Sequence, residues 1–275
     1  MTNKEKIIES FTKVKDLGFV KSNRKNNTGI GKTFEDYVGV IENNIKEPDL
    51  FGYEIKSHRE ISTSYVTLFT KSPTYPPKAN VILKDKFGTP YVHNPALKKL
   101  HTSMFASRFN TFEGKLAFRL INNREEKRIY IGVYDIGSHT LIDQTTFYSY
   151  EEIDKALVSK LHNLFYVTAK RKNIDGNELF HFNKAEIYTN PTLEIFLDML
   201  DKGEIMYDIR IGSYGSGKML GKPHDHGSGF RIKEADISKL YKTKEIVEVI
   251  EVVVGSEVVE VVEVVEVVEE VVAVE

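Results

Sequence analysis

Short apolar stretches with the two-residue period of a β-strand recur along most of the chain, and helical patterns interrupt them at irregular intervals. The predicted strands are 52–57, 64–70, 115–121, 128–134, 163–172, 178–188, 205–211 and 229–233. The predicted helices are 4–17, 33–45, 150–161 and 192–200, with a helical turn at 237–241. Because strand and helix do not alternate regularly, the chain is predicted to have an α/β fold of the α+β kind with a mixed sheet.

Several helix boundaries are predicted from individual residues. Thr33 and Asp36 have the spacing of a capping box and would open the second helix, which Pro48 would end. Pro191 would start the last long helix, and Gly203 would stop it.

Composition excludes several classes of site. The chain has no cysteine, which removes disulfides, thiolate zinc sites and cysteine nucleophiles. It has no apolar run of 18 residues and no secretory signal, so we expect a cytoplasmic protein without a membrane span.

The net charge of −2 conceals an asymmetry along the chain. Nine of the 40 acidic residues and none of the 38 basic residues lie after position 245, so 1–245 carries 31 acidic residues and a net charge of +7. A basic body fits a polyanionic partner such as DNA, although a solubility charge would look the same.

Residues 246–275 form a low-complexity tail of valine and glutamate, in which glutamate recurs every third residue from Glu257 to Glu269. A period of three matches neither a strand nor a helix. The tail indicates no function and, through its valines, a risk of aggregation.

The stretch 33–59 carries residues suited to phosphodiester hydrolysis. Pro48-Asp49 is followed by Glu54 and Lys56, which are two residues apart and therefore point to one face of a strand. Hard divalent cations take one or two carboxylates, water and phosphate oxygens, and Asp49 and Glu54 could supply that pair. The Ile55 carbonyl could be a third ligand, and Lys56 could orient the attacking water and hold the phosphate.

The alternative is a solvent-facing charged strand, because Asp, Glu and Lys are common in this chain. Phe51, Tyr53 and Ile55 interleave the motif with apolar residues, which argues against that alternative. Glu35 adds a third carboxylate 14 residues before Asp49.

This pattern resembles the catalytic core of MutH-like endonucleases of the PD-(D/E)xK class, and most of all the MvaI/BcnI group of restriction enzymes. The resemblance extends over most of 1–245. It implies that Asp49 and Glu54 are metal-binding carboxylates, that Lys56 is the catalytic lysine and that Glu35 supports the site. It also implies Mg²⁺ as the cofactor, with Mn²⁺ as a substitute.

A glycine-rich stretch at 209–232 is dense in hydrogen-bond donors. Such a mix of Arg, Lys, His and one Asp can read G·C pairs through guanine O6 and N7 and cytosine N4. The stretch fails as a phosphate-binding P-loop because Met219 replaces the required Ser or Thr. A zinc site at His224 and His226 lacks further paired ligands.

The H-D-H-G-x-G-F-R-I segment within this stretch resembles the target-recognition region of the same group. By that match His224, Asp225 and His226 would read base edges, and the neighbouring base or phosphate contacts would be Arg210, Tyr214, Lys218 and Arg231. The alternative is that some of these side chains only hydrogen-bond the loop.

Together these patterns predict a type II restriction endonuclease with a MutH-type fold and two lobes around a DNA cleft. The predicted division is a catalytic lobe at 1–160, a DNA-recognition lobe at 161–245 and the tail at 246–275. The resemblance implies a monomer that nicks each strand of double-stranded DNA in turn at a CC-N-GG site, beside a cognate DNA methyltransferase. A strand-nicking enzyme of mismatch repair and a non-cleaving DNA-binding protein remain alternatives.

Overall fold

The computed structural model describes residues 1–26, 28–40, 49–60, 64–254 and 257–267 of the 275-residue chain. Its α-helices are α1 (Asn3–Asp16), α2 (Gly29–Tyr37), α3 (Ala79–Phe87), α4 (Tyr150–Leu161) and α5 (Leu193–Lys202). Its strands are β1 (Val20–Lys21), β2 (Glu54–Arg59), β3 (Tyr65–Thr70), β4 (Thr89–Tyr91), β5 (Asn94–Met104), β6 (Asn110–Phe112), β7 (Leu116–Asn123), β8 (Arg128–Asp135), β9 (Leu141–Ser149), β10 (Asn163–Ile174), β11 (Asn177–Pro191), β12 (Ile205–Ser213), β13 (Pro223–Asp225), β14 (Gly229–Lys233), β15 (Tyr241–Val254) and β16 (Glu257–Val267). Two 3₁₀ segments lie at Gly217–Met219 and Glu234–Leu240.

The chain divides into two compact units, each built from segments that alternate along the sequence. The first unit contains Met1–Thr63, Val158–Pro191 and Ile237–Glu275, and the second contains Ser64–Leu157 and Thr192–Asp236. These segments differ from the contiguous lobes 1–160 and 161–245 expected from the sequence. The assignment of catalysis and recognition to those ranges stays a prediction.

The first unit is built on a six-stranded mixed sheet with the order β16-β15-β11-β10-β2, in which β1 pairs with β11. Only the β2–β10 pairing is parallel among these strands. Apolar residues of α1 and α2 pack on the sheet and form a hydrophobic core with it. The most buried residues of this core include Phe11, Phe34, Phe165, Phe180 and Phe182. The position of β2 is therefore fixed by α2, which packs on the sheet, and by β10, which pairs with β2 within the sheet.

The second helix begins earlier than the predicted capping box, because Thr33 lies inside α2. The fully buried Thr33 hydroxyl donates to the Gly29 carbonyl at 2.7 Å and accepts from the Asn23 N–H at 2.9 Å. Thr33 therefore anchors the preceding loop instead of capping the helix. The predicted end at Ile45 and Pro48 lies outside the described residues.

The second unit contains two sheets, one with the order β3-β14-β12-β5-β4 plus β13 on β12, and one with the order β6-β7-β8-β9. Fully buried aromatic side chains of its core include Tyr148, Phe196, Tyr207 and Phe230. The predicted stop of α5 is confirmed, because Gly203 ends it with φ of +77°. The predicted start at Pro191 is wrong, because Pro191 is the last residue of β11 and pairs with Tyr241, and Thr192 caps the helix instead.

Several regions differ from the sequence-based expectation, and among them β6, β9 and β13 are strands that carried no prediction. The span 79–104, which carried no prediction, forms α3, β4 and β5. The described parts of the tail form β15 and β16, which pair with each other and extend the first sheet through β11. Valine favours strands, and pairing with β11 supplies the backbone partners that the sequence pattern does not reveal.

Candidate active site and nucleic-acid interface

The motif strand β2 presents Glu54 and Lys56 on one face and Ile55 on the other. Ile55 is buried in the core beneath α2, whereas Glu54 and Lys56 keep 16% and 18% of their side chains exposed. In the parallel pairing, Glu54 lies opposite Leu164 and Lys56 lies opposite Tyr166. The two charged groups therefore stand at the rim of the sheet, reachable from solvent but largely desolvated.

A tight turn brings Asp49 back beside β2. Leu50 and Tyr53 exchange backbone hydrogen bonds of 3.1 and 2.9 Å across Phe51 and Gly52. Gly52 has φ of +82°, a conformation that glycine adopts without steric cost. As a result, Asp49 Oδ2 accepts a 2.8 Å hydrogen bond from the Ile55 N–H.

Only one of the two oxygens of the Glu54 carboxylate has a hydrogen-bond partner among the described residues. Lys56 Nζ donates to Glu54 Oε1 at 3.2 Å, and Glu54 Oε2 is buried without a hydrogen-bond partner among the described residues. An unsatisfied buried carboxylate oxygen is unfavourable unless a donor or a cation completes it.

The electrostatics of Asp49 point the same way. Burial raises the pKa of the Asp49 carboxyl, and the negative charge of Glu54 raises it further, against the Ile55 N–H and Lys56. Two partly buried carboxylates that repel each other form a site that a divalent cation would stabilise.

The other two predicted members of this site have less defined roles. Glu35 lies half-buried on α2, which packs against β2, and the Ile55 carbonyl belongs to the parallel β2–β10 pair. Among the described residues, no cluster of three or more His, Asp or Glu side chains is arranged around a metal position. The side chains that could ligate a cation here are thus Asp49 and Glu54, a pair that suits Mg²⁺ with water and phosphate oxygens.

A row of polar and aromatic groups that are not among the predicted site residues lies next to this site. The His58 ring stacks on Tyr166 at 4.3 Å, and His58 Nε2 lies 2.8 Å from Thr168 Oγ1. Further along the sheet, the Tyr188 hydroxyl donates to the buried Glu186 at 2.9 Å, and Tyr241 stacks on Tyr188 at 5.4 Å. The period of two from Glu54 through Lys56 to His58 was the available signal for the first of these residues.

In the second unit, the predicted nucleic-acid contacts Arg210 and Arg231 converge on one carboxylate. Asp208, which is 5% exposed, lies 2.5 Å from Arg210 Nε and 2.9 Å from Arg231 Nε. Ser103 Oγ donates to the other oxygen of Asp208 at 3.1 Å. Asp208 therefore fixes two guanidinium groups on the β12–β14 pair, that of Arg210, which is half-exposed, and that of Arg231, which is mostly buried.

Four aromatic rings form a continuous row beside the arginines. Tyr214 stacks on His224 at 4.2 Å, His224 contacts His226 at 3.9 Å, and His226 meets His101 edge-on at 6.0 Å. His101, His226, Asp208 and Arg210 line an open cavity of about 510 Å³ together with Thr102 and Ser103. The predicted residues His224, His226, Arg210 and Tyr214 are thus brought together on one surface.

The other two predicted contacts, Asp225 and Lys218, lie outside this row of rings. Asp225 Oδ1 accepts from the N–H groups of Gly227 and Ser228 at 3.0 and 2.7 Å, and Asp225 Oδ2 accepts from Asn80 at 3.0 Å. These bonds favour the alternative in which Asp225 shapes the loop, while its role in base reading stays a prediction. Lys218 is exposed in the 3₁₀ segment Gly217–Met219.

Comparison with known proteins decides the family. The model of the MvaI/BcnI restriction endonuclease family matches residues 8–241. The chain belongs to the MvaI/BcnI restriction endonuclease family. None of the curated proteins compared with the chain matches it.

Two solved structures of a restriction endonuclease are similar to this family member. The MvaI complex with its cognate DNA substrate is 32% identical, with a TM-score of 0.78, and the match covers 87% of this chain and 96% of MvaI. MvaI without DNA is 31% identical, with a TM-score of 0.61, and the match covers 88% and 96% of the two chains. The resemblance and the mixed α+β fold predicted from the sequence are therefore confirmed, and the protein is a restriction endonuclease that acts on DNA.

Asp208, Ser103 and His101 stand among the predicted base contacts, although the sequence reasoning did not select them. Asp208 precedes Arg210 by two positions on a strand, which was a usable signal, whereas Ser103 and His101 come from the unpredicted strand β5. No α-helix in the described part of the chain has the length and apolarity needed to cross a membrane.

Proposed function

We propose that this family member hydrolyses phosphodiester bonds of double-stranded DNA with a water activated at Asp49, Glu54 and Lys56, in a reaction that depends on Mg²⁺. One observation carries the proposal: a turn holds Asp49 against Ile55 N–H beside a Glu54 carboxylate that has one unsatisfied buried oxygen. When bound there by Asp49, Glu54 and the Ile55 carbonyl, Mg²⁺, or Mn²⁺ in its place, would polarise the phosphate and lower the pKa of the attacking water.

The protein groups divide the remaining work. The Ile55 N–H and Lys56 Nζ bond to Asp49 and Glu54, respectively, and so hold the two carboxylates in place beside each other. Lys56 stands beside Glu54, where its ammonium group can orient the water and offset the charge that develops on the phosphate. Glu35 on α2 supports this arrangement from the helical side.

We assign recognition of the target sequence to the surface of the second unit that carries the two arginines and the row of aromatic rings. Arg210, oriented by Asp208, can donate two hydrogen bonds to guanine O6 and N7, and His224 and His226 can donate to the same atoms. Arg231, whose Nη2 already donates to the Gly227 carbonyl at 3.3 Å, would add a contact from Nη1. This set suits the outer G·C pairs of a CC-N-GG site. Tyr214, Lys218 and Asp225 complete the proposed DNA contacts.

From the resemblance to the MvaI/BcnI group we also propose a monomer with one active site, which would nick one strand and then the other. A cytoplasmic location and a cognate DNA methyltransferase, which would protect the host's own sites, belong to the same proposal.

The test is cleavage of a supercoiled plasmid that carries CC-N-GG sites with each central base pair, with and without Mg²⁺, followed by sequencing of the product ends. We expect nicked circles before linear DNA, and no product without the metal. The variants D49N and K56A should lower the single-turnover rate at least about 100-fold while DNA binding is retained.

Asp36→Asn is a matched control, because Asp36 is an exposed carboxylate on α2 that pairs with Lys32. This variant should cleave like the wild type. Equal cleavage by D49N and the wild type would contradict the assigned site, and cleavage that ignores CC-N-GG would contradict the assigned target.

A further inference from the structure

Two buried polar atoms in the first unit are chemically complementary. Glu54 Oε2 and the Tyr241 hydroxyl both lack a hydrogen-bond partner among the described residues. An ionised carboxylate only accepts hydrogen bonds, whereas a phenol can donate one. Tyr241 is 7% exposed, so bulk water does not readily satisfy its hydroxyl.

The sheet brings the two residues into one neighbourhood. Glu54 of β2 lies opposite Leu164 of β10, and Leu164 lies opposite Tyr188 of β11. The ring of Tyr241, the first residue of β15, stacks on Tyr188 with centroids 5.4 Å apart and planes inclined by 27°. Tyr241 therefore stacks on the last residue of the cross-strand row Glu54, Leu164 and Tyr188.

The electrostatics agree with this placement. The pKa of the Tyr241 phenol is raised, first by burial and then by the negative charge of Glu54. The hydroxyl therefore stays protonated and remains a donor within the electrostatic range of the Glu54 carboxylate.

The two atoms are not hydrogen-bonded to each other in this structure. We propose that Tyr241 is a positioning residue for Glu54, and that its hydroxyl donates to one lone pair of Oε2 in the metal-loaded site, which leaves the other lone pair for the cation while Lys56 holds Oε1. The inference rests on the proposed function, in which Glu54 is a metal ligand. Tyr241 would act through Glu54 and would touch neither DNA nor metal. Partners behind metal ligands orient the ligands and tune their affinity for the metal.

The experiment measures Mn²⁺ affinity directly, by electron paramagnetic resonance of free Mn²⁺, with and without a duplex that contains a CC-N-GG site. The variant Y241F removes the hydroxyl and keeps the ring. We expect an affinity at least about tenfold weaker, because loss of a partner behind a metal ligand has that order of effect. The Mn²⁺ concentration for half-maximal nicking should rise in parallel, and DNA affinity should not change.

Y188F is the matched control. It removes a buried hydroxyl from the stacked neighbour, but that hydroxyl donates to Glu186 and not to Glu54. Y188F should keep the Mn²⁺ affinity of the wild type. Equal weakening in both variants would overturn the inference in favour of general packing, and unchanged affinity in Y241F would overturn it outright.

E54Q separates this inference from the proposed function. If E54Q weakens Mn²⁺ binding and Y241F does not, only the role of Tyr241 fails. If E54Q binds Mn²⁺ and nicks DNA like the wild type, the metal site itself fails and the inference falls with it.

A second pair of variants covers the case in which Y241F does not fold. The unnatural residues 4-aminophenylalanine and 4-methylphenylalanine at position 241 fill similar space, but only the first can donate a hydrogen bond. The first should bind Mn²⁺ at least about tenfold more tightly than the second. Equal affinities would overturn the inference.

Discussion

Asp208, which is 5% exposed, holds Arg210 and Arg231, two of the proposed DNA contacts of the second unit. Its carboxylate lies 2.5 Å from Arg210 Nε and 2.9 Å from Arg231 Nε. A guanidinium group that is fixed before DNA arrives loses less conformational entropy when it binds a base. Orientation of the arginines should therefore contribute to discrimination between sites.

The variant D208N keeps the shape of the side chain and removes its charge. We expect the ratio of specific to non-specific DNA affinity to fall about tenfold or more, because a well-placed bidentate contact contributes about 1–3 kcal/mol of discrimination. Competition binding between a CC-N-GG duplex and a scrambled duplex measures the ratio. Asp198→Asn, which removes an exposed carboxylate from an Arg124 ion pair, is the control and should leave the ratio unchanged.

Glu186 in the first unit illustrates a buried charge that its partners stabilise. Burial opposes ionisation, but the Tyr188 hydroxyl, Lys184 and Lys244 outweigh it and hold the pKa of the carboxyl below its ordinary value of 4.5. A lowered pKa in the folded state contributes stability above about pH 4.5, and that contribution is lost as the pH falls through the folded-state value.

We therefore expect the free energy of unfolding of the wild type to fall more steeply with decreasing pH below about 4.5 than that of E186Q, which lacks this titration. Urea unfolding between pH 3 and pH 7 measures both curves. Parallel curves for the two proteins would show that the ion pairs of Glu186 do not stabilise the fold.

Among the elements, the turn before β2 matters most for the site, because it joins Asp49 to a strand that α2 and β10 already hold. Gly52 has φ of +82°, and a Cβ there would meet only Asn3 Nδ2, at 3.9 Å. An alanine at this position would therefore be strained by its backbone conformation and not by crowding.

The variant G52A is expected to lower stability by about 1 kcal/mol and to lower the cleavage rate, because the Asp49–Ile55 hydrogen bond depends on the turn. Gly176 is a matched control, since it has φ of +74° in the β10–β11 hairpin and a Cβ there would meet nothing within 4 Å. G176A should lose similar stability, measured by urea unfolding, and keep the cleavage rate. A loss of cleavage in both variants would contradict the role of the turn.

At the scale of the whole molecule, the Val/Glu tail sets the sign of the net charge. Residues 257–275 contain seven glutamates and no basic residue, so their removal changes the formal net charge from −2 to +5. We expect non-specific DNA affinity to rise in the shortened chain at low salt, and the difference to shrink as salt screens the charges.

Fluorescence anisotropy with a duplex lacking CC-N-GG, at about 50 and 200 mM salt, measures this difference. The shortened chain should remain folded, because β15 keeps its pairing with β11 when β16 is removed. Equal affinities for both chains at low salt would show that the tail does not influence the charge seen by DNA.

Local sequence patterns were sufficient for much of this protein. Alternating apolar residues predicted β2, β7, β8, β10, β12 and β14 within a few residues, since side-chain burial in a strand repeats every two positions. The spacing of Asp49, Glu54 and Lys56 predicted a carboxylate–lysine group on one strand, because that proximity is local. The resemblance carried by the same residues predicted the family, which the match over 8–241 confirms.

Only the tertiary structure decided which distant segments meet. The pairing of β2 with β10 sets Glu54 and Lys56 beside residues more than 100 positions away, and β5 brings His101 and Ser103 to the arginines of β12 and β14. Thr33 anchors the preceding loop from inside α2, because its hydroxyl accepts a hydrogen bond from the Asn23 N–H, and helix-capping patterns do not include such a partner. Hydrogen bonds and ion pairs of this kind depend on distances in space, and a linear pattern contains only distances along the chain.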